Sequence, residues 1–307
     1  MKARRGPKAQ PKELKEARSA LCRAEMYRLF PNAKNPWALE PHIHSRQGST
    51  NGIQNVTGRF FHLMDNNGTP SEEDCDAVDA RLEERRQSAG PADGPLDSNL
   101  RKWAYCPIWA LGSPNRGRDW CQNALRSLEP AVQRIVFIER SGSNPTTAQR
   151  RLLPETYFYL LQLGTWDAFV ASLLLSDEAE VIGDPEGQRV ALLCAYCCFP
   201  KAVRNETLLH SHWEKLALFL EPFFEPVLGH LQGDMPIAWF RAQIYADDLD
   251  PMPLAFKCAY ELMKTSLHED RVARARAELK QLIAPIASTE LPAWWSAAPC
   301  TFKRRRR

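Results

Sequence analysis

Residues 154–199, PETYFYLLQLGTWDAFVASLLLSDEAEVIGDPEGQRVALLCAYCCF, decide the fold class. Apolar side chains recur there in helical rows, and the run is far longer than a strand. One Gly/Asp/Pro break at 183–187 separates a segment near 154–176 from one near 188–199. The same pattern continues near 205–221, 236–247, 253–267 and 269–284, with short Pro-, Gly- or Asp-rich connections that imply packed, mainly antiparallel neighbours. No signature repeats at a period of about 30–45 residues, so an irregular helical array is expected and a regular solenoid is not.

Upstream, Leu14, Leu21, Ala24 and Tyr27 recur at helical spacing between Pro11 and Pro31, with Lys15, Arg18 and Arg28 mostly off that stripe. This reads as a basic amphipathic helix. Residues 31–49 are broken by Pro31, Pro36 and Pro41 and read as loop. Ile53, Val56, Phe60 and Met64 form one face of a second helix ending at the turn Asn66–Pro70. Ser71 with Asp74 resembles a capping box and starts a third helix, roughly 72–87, with an acidic outer face. Residues 88–99 gather Gly90, Pro91, Gly94 and Pro95, the composition of a linker. Further on, Ile135–Ile138 is the one convincing β-branched run and predicts a short strand.

The fold class is therefore mainly α: a small N-terminal three-helix unit, a Gly/Pro linker, and a larger irregular helical bundle or array with at most one or two short strands. The expected organisation is a disordered basic arm (1–12), a small helical domain (13–87), the linker (88–99), a helical C-terminal domain (100–290) and a basic tail (291–307).

Charge is sorted along the chain. Lys plus Arg against Asp plus Glu is 12 against 5 in residues 1–70, 3 against 9 in 71–100 and 9 against 3 in 101–153. The count is then 11 against 20 in 154–290 and 5 against 0 in 291–307, so the net +3 hides basic ends and an acidic body. Such a field bears on partners and solubility, and it points to a polyanion. At 307 residues with 44% hydrophobic and 25% charged residues, the chain matches ordinary globular composition and can bury a core. No secretory h-region and no apolar run of spanning length is present, so no membrane association is expected. Nine scattered cysteines fit a reducing compartment better than a disulfide framework, and a cytoplasmic location follows, or a nuclear one in a eukaryotic cell.

Three constellations resemble chemical sites. Cys194, Cys197 and Cys198 include a C-x-x-C, with His210 and His212 downstream, but they continue an apolar helical run, and the two histidines are too close together for a zinc finger. They read as core. His42, His44 and His62 with Asp65 could ligate a metal, although nothing fixes their distances, and Asp247, Asp248 and Asp250 read as a solvated turn before Pro251. The chain has no G-x-S-x-G elbow, P-loop, G-x-G-x-x-G or H-E-x-x-H, and no catalytic residue, metal or cofactor is expected.

Signals for nucleic acid are more numerous. Arg4, Arg5 and Lys8 on the arm, Lys12, Lys15 and Arg18 on the first helix, and Gln54, Asn55 and Arg59 on the second are residue types that contact phosphates and base edges. Their order is loosely that of a helix-turn-helix variant. A second stretch interleaves Arg101, Lys102, Arg116, Arg118 and Arg126 with Trp103, Tyr105, Trp109 and Trp120, either a stacking platform for single strands or the nucleus of a core. Arg304, Arg305, Arg306 and Arg307 close the tail. The expected function is a non-enzymatic regulatory or accessory protein that binds nucleic acid, DNA more than RNA, with an acidic helical body for protein contact or self-association. A helical adaptor without nucleic-acid binding is the alternative, and a metal-dependent enzyme the second alternative.

Overall fold

The structure is a computed structural model that describes residues 12–33, 68–88, 97–111, 116–140, 146–149, 154–231 and 236–245. These residues are mainly helical. The expected helix at 53–64, those at 253–267 and 269–284, residues 1–11 of the basic arm and the tail lie outside them, while Lys12, expected in the arm, begins the first helix. Residue contacts divide the chain into two compact units: the first is Met1–Leu111 with Leu208–Phe219, and the second is Gly112–Thr207 with Leu220–Arg307. The division therefore falls beyond the glycine- and proline-rich 88–99, and the chain returns once to the first unit.

The first unit contains α1 (Lys12–Leu29), α2 (Glu72–Ser88), the short α3 (Leu100–Ala104) and a 3-10 turn (Pro107–Ala110). The capping box of α2 forms as expected. Ser71 N–H donates to Asp74 Oδ2 at 2.8 Å, and Asp74 N–H donates back to Ser71 Oγ at 3.2 Å. In α1 the buried face is Leu14, Ala17, Leu21, Cys22, Glu25, Met26 and Leu29, while Ala24 and Tyr27 are only partly buried. The stripe is rotated from the expected one because two charged residues turn inward. Glu25 accepts from Asn99 N–H (2.7 Å) at the start of α3 and from Arg28 Nε (2.8 Å) and Nη2 (2.7 Å). Two turns earlier on α1, Arg18 donates through Nε (2.7 Å) and Nη2 to the Ala104 carbonyl at the end of α3. An anion at the N-terminus and a cation at the C-terminus both complement the helix dipole, so one face of α1 holds both ends of a helix too short to persist alone. From α2, Arg85 donates to the Leu29 carbonyl at 3.1 Å and closes the end of α1 in the same way.

The second unit contains α4 (Arg118–Arg126), α5 (Pro130–Val136), β1 (Phe137–Arg140), β2 (Thr146–Gln149), α6 (Pro154–Leu163), α7 (Trp166–Ile182) and α8 (Pro185–Asn205). It also holds α11 (Pro236–Tyr245), whereas α9 (Thr207–His210) and α10 (Trp213–Leu231) have residues in both units. The β-branched run does not form the strand by itself. Ile135 and Val136 are buried at the end of α5, whose first turn begins at Pro130, and the antiparallel ribbon starts at Phe137, opposite Gln149. Burial of the two side chains overrides their local preference.

Helix α7 is buried on nearly every side, from Trp166 through Ser176, and packs against α4, α5, α6 and α8, which makes it the centre of this unit. Its entry is fixed by Thr165, whose Oγ1 accepts from Ala168 N–H (3.2 Å) and donates to Glu129 Oε1 (2.5 Å). Glu129 N–H in turn donates to Asp167 Oδ2 (2.8 Å). Its exit is a left-handed Gly183 (φ +73°), with Asp184 N–H donating to the Ala179 carbonyl at 2.8 Å. The helix expected over 154–176 is two helices. Gly164 (φ +56°) ends α6, and the α6 carbonyls are capped from α8: Lys201 Nζ donates to Leu161 (3.2 Å) and Gln162 (2.8 Å), and Asn205 Nδ2 donates to Gly164 (2.9 Å).

These two glycines separate two effects. A Cβ at Gly183 meets nothing within 4 Å, whereas one at Gly164 overlaps the Lys201 stem. Gly183→Ala should therefore cost only the backbone term of about 1–2 kcal/mol. Gly164→Ala should cost about 2–3 kcal/mol, because Lys201 is also pushed from its carbonyls. Urea midpoints of the two variants, and equal costs in particular, would decide whether the lysine cap matters.

Candidate functional site

A polar cluster in the second unit joins the start of α4 to the C-terminal half of α7. Arg116, just before Gly117 at the N-cap of α4, pairs with Asp177, and both side chains are largely buried, at 15% and 14% exposure. Arg118 Nε donates to Glu178 Oε1 at 3.0 Å, and Gln122 Nε2 reaches the same oxygen at 3.3 Å. Glu178 is 5% exposed, while Arg118 is 58% exposed, so this pair has one face in water. The Arg116 guanidinium also lies 5.5 Å from the centre of the Trp120 ring, a cation–π distance. Neither carboxylate stood out in the sequence, because Asp177 and Glu178 interrupt an apolar run that otherwise reads as core. Two adjacent acids inside such a run were the available signal.

Burial pushes the Asp177 carboxyl up to about 6, and the neighbouring Arg116 opposes that shift without cancelling it, while Glu180 adds to it. The folded chain thus binds a proton between about pH 4 and 6 that the unfolded chain has already released. Stability from this group is greatest below about pH 4 and declines as pH rises through 6. The shift caps its size at about 3 kcal/mol. Asp177→Asn should flatten the fall in stability between pH 4.5 and 7.5 relative to the parent chain. Urea titrations at four pH values check it, and parallel curves would refute it.

The residues expected to meet nucleic acid are placed as follows. Lys12 pairs with Glu16 at 3.6 Å while remaining 81% exposed, and Lys15 is exposed. Arg18 is not on a solvated face, since its guanidinium holds the end of α3. Arg101 pairs with Asp76 (2.6 Å) and Asp79 (3.7 Å) on α2. Lys102 Nζ lies 5.0 Å from the centre of the Trp103 ring, and Arg116 and Arg118 belong to the cluster above. Of the aromatic residues interleaved with them, Trp103 and Trp109 are core: Trp103 is wholly buried and Trp109 Nε1 donates to its carbonyl at 2.6 Å. They offer no free ring face for a base, so of the two readings the core one holds at those two positions. Tyr105 is exposed and donates to the Pro70 carbonyl at 3.1 Å. Arg4, Arg5, Lys8, Gln54, Asn55, Arg59 and Arg304 to Arg307 lie outside the described residues, as do His42, His44, His62, Asp65, Asp247, Asp248 and Asp250.

Comparison of the chain with known protein families, with curated proteins and with solved structures finds no match to any of them.

Two of the three cysteines of α8, Cys194 and Cys198, serve packing, and Cys197 is partly buried. Cys194 and Cys198 are fully buried; Cys194 Sγ donates to the Tyr157 carbonyl of α6 at 3.2 Å and lies 3.3 Å from Ser172 Oγ of α7. Burial raises the Cys194 thiol to about 12 and Cys198 well above its ordinary value, so their thiolates are suppressed at neutral pH. Burial likewise raises Cys22 to about 12 and both Cys75 and Cys121 to about 11. Among the described residues no group of three His, Cys, Asp or Glu side chains is placed to hold a metal ion, and no helix is long and apolar enough to cross a membrane.

Proposed function

We propose that this is a non-enzymatic, mainly helical protein of regulatory or accessory role that binds nucleic acid, DNA in preference to RNA, through the basic segments at the two ends of its sequence. The acidic helical body contacts a protein partner or a second copy of the chain, in the cytoplasm or, in a eukaryote, the nucleus. Charge segregation carries this reading: residues 291–307 hold five cations and no acid, and residues 1–12 hold five cations and no acid, while Arg101, Arg116 and Arg118 are neutralised within the fold. A cation already paired gains less from phosphate than a solvated one, so the load falls on the ends.

Anisotropy titration of labelled duplex DNA, single-stranded DNA and RNA at 50 and 200 mM salt tests it. Binding is expected to weaken by about 0.9 log units per log unit of salt for each phosphate neutralised. A chain lacking residues 1–11 and 301–307 should lose most of that binding and that slope. Salt-independent binding, or none at 50 mM, would overturn the reading.

One observation favours the helical adaptor instead. Residues 154–290 carry 11 cations against 20 acids, a deficit that suits contact with a basic protein surface. On that reading the same truncation leaves partner capture intact.

A further inference from the structure

We propose that the corner where α4 meets α5, together with the two-stranded ribbon that leaves it, is a second surface for the phosphate backbone of duplex DNA, carried by Arg126 and Arg134. This surface presupposes the nucleic-acid reading above and adds to it a contact within the folded second unit. Other arginines are already committed: Arg28, Arg81, Arg86, Arg101, Arg116 and Arg118 each pair with a carboxylate. Arg126 and Arg134 do not. Both are exposed, and each makes one long bond close by in sequence: Arg126 Nη1 donates to Asn123 Oδ1 at 3.4 Å, and Arg134 Nε donates to the Pro130 carbonyl at 3.4 Å. Neither bond neutralises charge, and no carboxylate pairs with either side chain among the described residues. The exposed positions between 120 and 136 are Asn123, Arg126, Ser127, Pro130 and Arg134, which present two cations and no acid. Glu129, the single acid in that stretch, is half-buried and accepts from Thr165 Oγ1.

Contacts within the corner hold the two arginines together. Gln133 Nε2 donates to the Arg126 carbonyl (3.0 Å) and to the Leu128 carbonyl (2.7 Å), so the residue before Arg134 clasps the end of α4. The Arg126 guanidinium lies 5.1 Å from the centre of the Phe137 ring, which is buried three positions after Arg134. Arg126 thus reaches from α4 to the end of α5, and buried Leu125, Leu128, Val132 and Ile135 anchor both helices. A cation on such a scaffold loses less freedom on meeting a phosphate than one on a mobile arm. Phe137 is also the first residue of β1, so the ribbon starts at this corner, with Phe137 opposite Gln149 at its root and Arg140 opposite Thr146 at its far end. Among the helices it packs chiefly against α5, and its two strands pair only with each other among the described residues. With four residues per strand, the ribbon is about 13 Å long and its strands are about 5 Å apart, dimensions that enter a major groove about 12 Å wide and about 8.5 Å deep. Cations at its root then stand at the edge of the groove, where the phosphates run. The corner's own ring, Phe137, is buried and gives no stacking platform, which favours a duplex over a single strand.

The test uses the full chain and a labelled DNA duplex of random sequence, titrated by anisotropy at several salt concentrations from about 50 to 200 mM, the range over which phosphate contacts weaken most visibly. Arg126→Gln and Arg134→Gln should each weaken binding about threefold. Each should also lower the log-log salt slope by about 0.9, and the double variant by about 1.8. Arg81→Gln, which removes the same charge from the pair with Glu84 on α2, should leave affinity and slope unchanged. Arg126→Lys keeps the charge and should restore the slope lost in Arg126→Gln. Arg134→Gln, at an exposed position that leaves the core untouched, decides the matter even if Arg126→Gln fails to fold. Parental binding with undiminished affinity and slope in Arg134→Gln and in the double variant would overturn this surface while leaving the basic ends in place. Equal losses on single-stranded DNA or RNA would overturn the assignment to duplex. Absence of binding by the parent chain at the lowest salt removes the nucleic-acid reading itself, so the two failures are distinct.

Discussion

Replacing Phe240 by alanine is expected to destabilise the second unit by about 3–5 kcal/mol. The ring is wholly buried and lies 4.8 Å from Tyr196, 4.8 Å from Phe199 and 6.0 Å from Phe224, centre to centre. Phe199 in turn stacks at 5.2 Å on Phe169, which lies 5.1 Å from Trp166, so one chain of rings ties α11 through α8 to the centre of the unit. Each such pair adds about 0.5–1.5 kcal/mol beyond its buried area, and alanine leaves a cavity that three rings on two helices cannot close without moving. Tyr245 on the same helix is 59% exposed, and Tyr245→Ala should change stability by less than about 0.5 kcal/mol. Urea denaturation checks the pair, and hydrogen exchange over 236–245 should accelerate in Phe240→Ala alone. A loss under about 1 kcal/mol would show that α11 is not held by this ring.

Glu25→Ala is expected to cost the first unit about 2–3 kcal/mol, the upper range for leaving a buried N–H without its acceptor, since the Arg28 charge left behind is 38% exposed and can be solvated. The Glu25 side chain is wholly buried, and its removal strands the Asn99 N–H and takes from Arg28 this carboxylate, while the 2.7 Å bond of Arg28 to the Asp97 carbonyl remains. Glu25→Gln preserves an acceptor for Asn99 and should lose about 1–2 kcal/mol. That graded response separates the cap of α3 from the ion pair. Equal losses in the two variants would assign the whole effect to Arg28, and a double variant with Arg28→Ala measures the coupling between them directly.

Much of this architecture is written locally. The helices near 12–29 and 72–88 and the Ser71/Asp74 box follow from period and capping chemistry, which act within four residues. Cys194 and Cys198 of α8 are core because they sit among Val190, Leu193, Tyr196 and Phe199 in one apolar helix, while Cys197 is only partly buried. The misreadings share a cause. An isolated Gly164 in a long apolar run looks like helix interior until Lys201, 37 positions on, caps the carbonyls before it. Glu25 and Arg18 count as solvated charges in any hydropathy period, yet both are drawn toward the core by the bare ends of α3. The linker composition of 88–99 is real, but Asp97 and Asn99 are bonded to α1, so its described end belongs to the first unit.

The candidate sites divide in the same way. Sequence alone determined the sorting of charge into blocks, the helical class, and the absence of familiar catalytic motifs, since each is a property of residue order. Only the tertiary structure decided which charges remain available. Arg116 meets Asp177 across 61 positions and Arg101 meets Asp76 across 25, whereas Arg126 and Arg134 meet no carboxylate among the described residues. Ion pairing depends on distances of a few ångströms between residues far apart in the chain, and neither composition nor period encodes those distances; helix packing sets them.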